Sequence, residues 1–191
     1  PCAKGKYMKR TIANPVGTCV DCPPGKYLPT RGGTSADDCK RCAAGKYAAF
    51  GGSDQCTDCA PGYAAFFKGQ SSCDSCTPGR FAGSSGAQLC IACEVGRYML
   101  ESAAKVCLPC TAGTYSSVAA SPVCQHCEGG KYSALIGADT EHACLTCAAG
   151  KFSVIGSTTC TMVPPGHYTN ESSTKSIFLP CPSGRYQSES G

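Results

Sequence analysis

The stretch Cys39-Lys40-Arg41-Cys42-Ala43-Ala44-Gly45-Lys46-Tyr47 contains the pattern that decides the fold of this chain. A C-x-x-C pair is followed by two small residues, a glycine, a basic residue and an aromatic residue. Eight such pairs occur, at steps of 20, 17, 17, 17, 17, 17 and 20 residues. They begin at Cys19, Cys39, Cys56, Cys73, Cys90, Cys107, Cys124 and Cys144. This even spacing indicates a tandem array of short repeats.

The remainder of each repeat predicts turns and short strands. The Gly-x-aromatic element occurs ten times between Gly5 and Gly184, and it departs once, where Tyr63 follows Gly62 directly. A second glycine often lies four residues before the next C-x-x-C pair, as at Gly52. Glycine and proline mark turns, whereas aromatic residues favour strands. Because no segment shows sustained helical periodicity, we expect hairpin-like strands and little or no helix.

The composition argues against a single hydrophobic core. The 191 residues include only 26 Leu, Ile, Val and Phe and no Trp, but 19 Cys, 23 Gly and 13 Pro. This composition is typical of a small disulfide-rich fold, in which covalent bridges substitute for a core. Because disulfides persist in an oxidising compartment, we expect an extracellular or cell-surface location reached through the secretory pathway.

The chain is predicted to form one continuous array over residues 1–191, cut from a longer protein at both ends. Units are expected to start near Cys2, Cys19, Cys39, Cys56, Cys73, Cys90, Cys107, Cys124, Cys144, Cys160 and Phe178. Two strands per unit suggest a rise on the order of 10 Å, so the array is expected to be elongated, with contacts between neighbours only.

A defect in the pattern helps to assign the disulfides. Val163 stands at the position of the second cysteine of one C-x-x-C pair. Phe178 stands at the position of the first cysteine of the following pair. If each bridge joins the second cysteine of one pair to the first cysteine of the next pair, these two residues replace both halves of one bridge by an apolar contact. The remaining bridges are 2–19, 22–39, 42–56, 59–73, 76–90, 93–107, 110–124, 127–144 and 147–160, with Cys181 unpaired within this segment.

Other uses of these cysteines stay open at this point. Bridges could close within each C-x-x-C pair, or could join first to first and second to second cysteines, and both schemes leave more cysteines unmatched. Paired C-x-x-C motifs also bind structural zinc, but such sites group the pairs two by two rather than evenly. We therefore favour the loop-closing bridges and predict no metal and no cofactor.

The pattern C-x-x-C-x-x-G-x-Tyr/Phe, followed by a Gly/Ser/Thr turn, resembles the ephrin-receptor-like cysteine-rich repeat. It is more distantly similar to the cysteine-rich modules of tumour-necrosis-factor receptors and growth-factor receptors. The resemblance covers residues from Cys2 to Tyr186 and implies an extracellular, non-catalytic structural module. Val163, Phe178 and the shifted Tyr63 depart from the pattern.

Charged and polar residues suggest surfaces rather than an active site. A basic residue follows most of the repeat glycines, and we call these residues the basic ladder. Their charges could bind anionic partners, or their side chains could be solvated, with the aliphatic part covering the adjacent aromatic residue. The ladder comprises Lys6, Lys26, Lys46, Arg80, Arg97, Lys131, Lys151 and Arg185, with His167 in kind. The net charge of +4 is spread along the chain, unlike the clustered charge of nucleic-acid binders, and no apolar run suggests membrane contact.

These observations lead to a functional expectation. Asn170-Glu171-Ser172 is an N-glycosylation sequon, so a glycan is expected on Asn170. No paired general acid and base is evident, so an enzyme is not expected. We expect a scaffold, rod or filament element of a surface coat or flagellar appendage that contacts other protein chains. The alternative is a receptor ectodomain that binds a protein ligand, with specialised contacts in the loops lengthened before Cys39 and Cys144.

Overall fold

The protein is described by a computed structural model that covers residues 1–169 and 178–185. The described residues form ten antiparallel hairpins, in each of which one strand pairs with the next along the chain. The strands are β1 (Lys6–Thr11), β2 (Asn14–Asp21), β3 (Lys26–Tyr27), β4 (Lys40–Arg41), β5 (Lys46–Tyr47), β6 (Thr57–Asp58), β7 (Tyr63–Ala64), β8 (Asp74–Ser75), β9 (Arg80–Phe81), β10 (Ile91–Ala92), β11 (Arg97–Tyr98), β12 (Leu108–Pro109), β13 (Thr114–Tyr115), β14 (Gln125–His126), β15 (Lys131–Tyr132), β16 (Leu145–Thr146), β17 (Lys151–Phe152), β18 (Thr161–Met162), β19 (His167–Tyr168) and β20 (Leu179–Pro180).

Each hairpin follows directly from the repeat. The residues after the repeat glycine form the first strand, and the two residues inside the next C-x-x-C pair form the second strand. In the hairpin β5–β6, Lys46 lies opposite Asp58 and Tyr47 lies opposite Thr57. The prediction of a disulfide-rich fold built from short strands in tandem is therefore confirmed. The only helices in the described part of the chain are the 3₁₀ turns Ala36–Asp38 and Glu141–Ala143.

Nine disulfides join the cysteines in the loop-closing order. Each bridge joins a second cysteine to the next first cysteine across 13, 14 or 17 residues. The pairs are Cys2–Cys19, Cys22–Cys39, Cys42–Cys56, Cys59–Cys73, Cys76–Cys90, Cys93–Cys107, Cys110–Cys124, Cys127–Cys144 and Cys147–Cys160. Cys181 is a free cysteine. This number of bridges indicates that the protein folds in an oxidising environment.

The buried interior consists mainly of sulfur and small side chains. The second cysteine of every pair is almost completely buried, and so is the small residue three positions after most repeat glycines, as at Ala48 and Ser116. The repeat aromatic residues are only half-buried, although Tyr7 packs against the bridge between Cys22 and Cys39. The repeat aromatic residues therefore contribute less to the interior than the cysteines do.

Successive hairpins are joined by the same three backbone hydrogen bonds. Between β3–β4 and the next repeat, the Gly25 N–H donates to the Ala48 carbonyl at 2.8 Å, and the Leu28 N–H donates to the Ser53 carbonyl at 3.1 Å. In the opposite direction, the Gly52 N–H donates to the Cys22 carbonyl at 2.9 Å. Equivalent bonds recur along the array; between the repeats that contain β13 and β15 they join Gly113 to Ser133, Ser116 to Ala138 and Gly137 to Cys110. Backbone pairing therefore joins the repeats whatever their side chains are.

The repeat glycine is required because three repeats meet at it. A Cβ on Gly25 would overlap the carbonyl oxygen of Gly69, which belongs to the second repeat further along the chain. This contact extends beyond the neighbouring repeat, so the expectation of contacts between neighbours only is wrong. The loop position that Gly69 occupies is less restricted: a Cβ there would lie 3.4 Å from the Arg41 stem, an ordinary contact. Alanine occupies this loop position at Ala103 and Ala120, both with a positive φ of 58°.

Internal contacts divide the chain into two compact units. The first comprises Pro1–Ile91 together with Glu101–Val106. The second comprises Ala92–Leu100 together with the described residues from Cys107 onward. Hairpins of the same kind, joined by the same hydrogen bonds, occur within each unit.

The two glycine positions predict opposite effects of a single methyl group. Ala103→Gly should raise the free energy of unfolding by about 1 kcal/mol, because it relieves a left-handed backbone at a residue with a Cβ. Gly25→Ala should lower it by several kcal/mol, because the new Cβ meets a backbone carbonyl as well as a positive φ. Chemical denaturation of the oxidised proteins measures both changes. Equal effects of Gly25→Ala and Gly69→Ala would contradict this account of the repeat glycine.

Candidate interaction surfaces

Two members of the basic ladder form ion pairs within their own hairpins. The Lys6 Nζ lies 2.8 Å from an Asp21 carboxylate oxygen, and the Lys46 Nζ lies 2.6 Å from Asp58. In each case the partner is the residue directly opposite on the second strand. These residues are about half exposed, so each ion pair contributes little to stability. Their charges are nevertheless balanced, which leaves them less able to attract an anionic partner.

Other members of the ladder are bound to the backbone or to the lengthened loop. The guanidinium groups of Arg80 and Arg97 donate to the carbonyls of Cys90 and Cys107 at 3.3 and 3.1 Å. The Lys131 ammonium donates to Glu141 at 2.9 Å and lies 3.4 Å from Glu128. Those contacts raise the pKa of Lys131, with the hydrogen bond to Glu141 as the main cause. The ladder is therefore largely a set of contacts that close each hairpin.

The repeat around Lys26 departs from this arrangement. Its partner on the opposite strand is Arg41 rather than an acidic residue, and Lys40 lies opposite Tyr27. Like charges directly opposite each other in a hairpin repel. Among the described residues, no carboxylate forms an ion pair with Lys26, Lys40 or Arg41. This hairpin therefore carries an unbalanced positive charge.

Apolar side chains are exposed at the tips of the connecting loops. Each tip lies four to six residues after the repeat glycine. It is flanked by the two residues whose backbone groups form hydrogen bonds to the preceding repeat, such as Ala48 and Gly52. The loops after Gly96, Gly113, Gly130 and Gly150 expose six such side chains, all of which belong to the second unit: Leu100, Val118, Leu135, Ile136, Val154 and Ile155. Their exposed fractions range from 58% for Val118 to 73% for Ile136. We call these six residues the loop-tip row.

The two lengthened loops are ordered by their own polar contacts. The Ser35 hydroxyl accepts the Asp37 N–H, and the Asp38 carboxylate accepts the N–H groups of Thr34 and Ser35. These backbone bonds hold the pKa of Asp38 below its ordinary value of 3.8. Ser35 and Asp38 therefore form a capping box around the 3₁₀ turn Ala36–Asp38, in which the Asp38 carboxylate serves to order the loop.

Each of the two residues that stand at cysteine positions makes contacts of its own. Val163 is completely buried, and its N–H donates to the Gly150 carbonyl just as the second cysteines bond to their own repeat glycines. The Phe178 ring lies against the rings of Phe152 and His167, with centroids 4.9 and 5.1 Å apart. Phe178 thus packs on two aromatic side chains of the same unit, a contact that the sequence pattern alone did not identify.

Several features considered in the sequence do not form a binding site among the described residues. Because eighteen cysteines are bridged, they have no thiolate with which to bind zinc. Within residues 1–169 and 178–185, no group of three His, Cys, Asp or Glu residues is arranged to hold a metal ion. The shifted Tyr63 takes the place of the basic residue, opposite Ser75, and Ala64 takes the place of the aromatic residue. The sequon residue Asn170 lies outside the described residues.

A shallow groove lies between the β1–β2 hairpin and the loop at Gly32. Its volume is about 450 Å³, and Met8, Arg10, Gly33 and Thr34 are among the lining residues. Arg10 is the only charged side chain that lines it. The groove contains no pair of titratable side chains of the kind that general acid–base chemistry requires.

Comparisons with known proteins leave the family open. No protein-family model and no curated protein sequence matches this chain. In the described part of the chain there is no helix with the length and apolar character needed to cross a bilayer.

Restoring the two missing cysteines should create a tenth bridge. Val163→Cys with Phe178→Cys, in a Cys181→Ser background, should lose both free thiols on oxidation and gain about 3 kcal/mol, the usual effect for a loop of this size. The control is each single substitution, which should leave one reactive thiol. Thiol counting and peptide mapping measure the outcome. Two free thiols in the double variant would contradict the assignment of Val163 and Phe178 to the two cysteine positions.

The Asp38 cap should respond to acid. Because the pKa of Asp38 is lowered in the folded protein, its contribution is present above the ordinary value of 3.8 and is lost as the pH falls through the lower folded value. NMR should show the amide resonances of Thr34 and Ser35 shifting together below that ordinary value. Asp38→Asn should remove this transition, whereas Asp37→Asn should preserve it. A transition that persists in Asp38→Asn would assign it to another group.

Proposed function

We propose that this chain is a non-catalytic scaffold segment of an extracellular assembly, in which copies associate laterally through the loop-tip row. The repeat architecture supports this proposal, because identical junctions produce equivalent surfaces at a fixed period. The resemblance to ephrin-receptor-like repeats and the oxidising environment indicated by nine disulfides support the extracellular location. A glycan on Asn170 fits the same setting.

The loop-tip row is the observation that carries the proposal. Each of its six side chains contributes about 60–120 Å² of apolar surface when fully exposed, as usual transfer free energies imply. At the observed exposures, the six side chains together present on the order of 300 Å² of apolar surface. A stable interface buries about 800 Å² per partner, so the row can supply an interface core with polar loop residues as its rim.

The charge near the row favours a second copy as the partner. Among the tip residues of these four loops, Glu101 is the only charged residue next to a member of the row. An uncharged row neither repels its own copy nor selects a charged partner. A second copy also matches its spacing, because both rows repeat with the same period. Two copies can therefore associate laterally through their loop-tip rows without a complementary charged surface.

The receptor alternative receives less support from the lengthened loops. Asp38 is bonded to Thr34 and Ser35, and Glu141 is bonded to Lys131, so the groups that distinguish these loops serve to order them. A soluble protein ligand would then have to use side chains other than these charged groups.

Self-association tests the proposal directly. The intact oxidised protein should form dimers or larger species at high concentration, as measured by sedimentation equilibrium. Leu135→Asp with Ile136→Asp should weaken association at least tenfold, because two charges would have to be buried at the interface. Ile12→Asp is the matched control, because Ile12 is fully exposed but lies at the tip of the β1–β2 hairpin outside the row. A protein that stays monomeric at high concentration and binds a soluble ligand would instead support the receptor function.

A further inference from the structure

Three successive repeats bring basic residues together around Gly69. Lys26 lies on β3, and Arg41 lies directly opposite it on β4. The Gly69 backbone packs beside the aliphatic part of Arg41, and its carbonyl oxygen occupies the space beside Gly25. Lys68 immediately precedes Gly69, so its backbone is anchored at the same place. We call Lys26, Arg41 and Lys68 the basic cluster.

The neighbouring repeats show what is unusual about the cluster. The same geometry places Asp21 beside Gly52 and Asp58 beside Gly86, and each aspartate is paired with the lysine on the opposite strand. In the repeat between them, Arg41 replaces the aspartate. None of the three cluster residues has an acidic partner among the described residues. Lys26 and Arg41 face each other at a cost in repulsion, and Lys68 adds a third positive charge beside Gly69 with no acidic group in the described part of the chain to balance it.

Two exposed aromatic rings lie next to the cluster. Phe66 and Phe67 immediately precede Lys68, are 63% and 67% exposed, and contact each other edge to face with centroids 4.8 Å apart. Aromatic faces carry partial negative charge and pack against the C–H groups of sugar rings. Guanidinium and ammonium groups bind sulfate and carboxylate oxygens. The two features together therefore suit a ligand that carries both sugar rings and anionic groups.

We propose that the basic cluster, with Phe66 and Phe67, binds a sulfated polysaccharide. Arg41 and Lys68 are exposed and Lys26 is half-buried, so the charges lie on an open surface rather than in an enclosed pocket. This arrangement suits a multivalent chain better than a single small anion. This site lies in the first unit and does not depend on the loop-tip row. The proposal therefore stands or fails separately from the scaffold function.

The test uses a charge reversal that the neighbouring repeats already contain. Arg41→Asp recreates the opposite-charge pair of Lys6 with Asp21 and of Lys46 with Asp58. With a highly sulfated heparin oligosaccharide as the probe, titration calorimetry should show about tenfold weaker binding by this variant. Its denaturation midpoint should be unchanged or slightly higher, because a repulsion is removed. Lys105→Asp, in the same unit, is the control with an equal change in net charge and should retain wild-type affinity.

A gain-of-function variant strengthens the test. Asp58→Arg places the arrangement of Arg41 in the next repeat, opposite Lys46, and should increase the affinity or add a second binding event. Binding by the wild-type protein should weaken as sodium chloride is raised, because exposed charges are screened. Phe67→Ser should weaken saccharide binding while leaving the affinity for inorganic sulfate unchanged.

Three outcomes would overturn the proposal. The first is saccharide binding that is equally weakened by Arg41→Asp and Lys105→Asp, which would reflect net charge alone. The second is equal affinity for polyglutamate of the same charge, which would indicate an acidic protein as the partner. The third is no binding of the oligosaccharide by the folded wild-type protein at low salt.

Discussion

The structure depends on the close approach of backbone from three repeats at repeat glycines such as Gly5, Gly25 and Gly45. The carbonyl of a loop residue from the second following repeat occupies the place that a Cβ would take, as Gly69 does beside Gly25. The three backbone hydrogen bonds of each junction form at the same location. The disulfides close each loop, and the buried second cysteines with the small residues near them fill the little interior that remains. A chain with so few large apolar residues can therefore hold a defined structure.

Features set by the period of the repeat could be predicted from the sequence, whereas contacts between separate repeats could not. Cysteine spacing and the joint loss at Val163 and Phe178 favoured the loop-closing order of the bridges, because the other pairings leave more cysteines of the array unmatched. The contact between Gly25 and Gly69 was not predicted, because nothing in a single repeat indicates how far the next loop extends. The aromatic ring contacts of Phe178 were missed for a similar reason, since they join side chains from two successive hairpins.

The candidate surfaces were only partly visible in the sequence. The basic ladder is evident as a pattern, but its pairing with Asp21 and Asp58 appears only when the hairpin register is known. Register then distinguishes Lys26, which faces Arg41, from members of the ladder that have acidic partners. The loop-tip row has no fixed residue type, so its members become recognisable only from their exposure in equivalent loops.

Junctions made of backbone atoms also affect how such a chain can change in length. Each junction uses the same N–H and C=O groups, whether the repeats carry Ala48 or Ser116 at the buried position. Removing or duplicating the residues between two equivalent cysteines would rejoin the chain at an unchanged junction. The gene for such a protein can therefore gain or lose whole repeats by unequal recombination, and each product remains able to fold, while the outward side chains diverge freely.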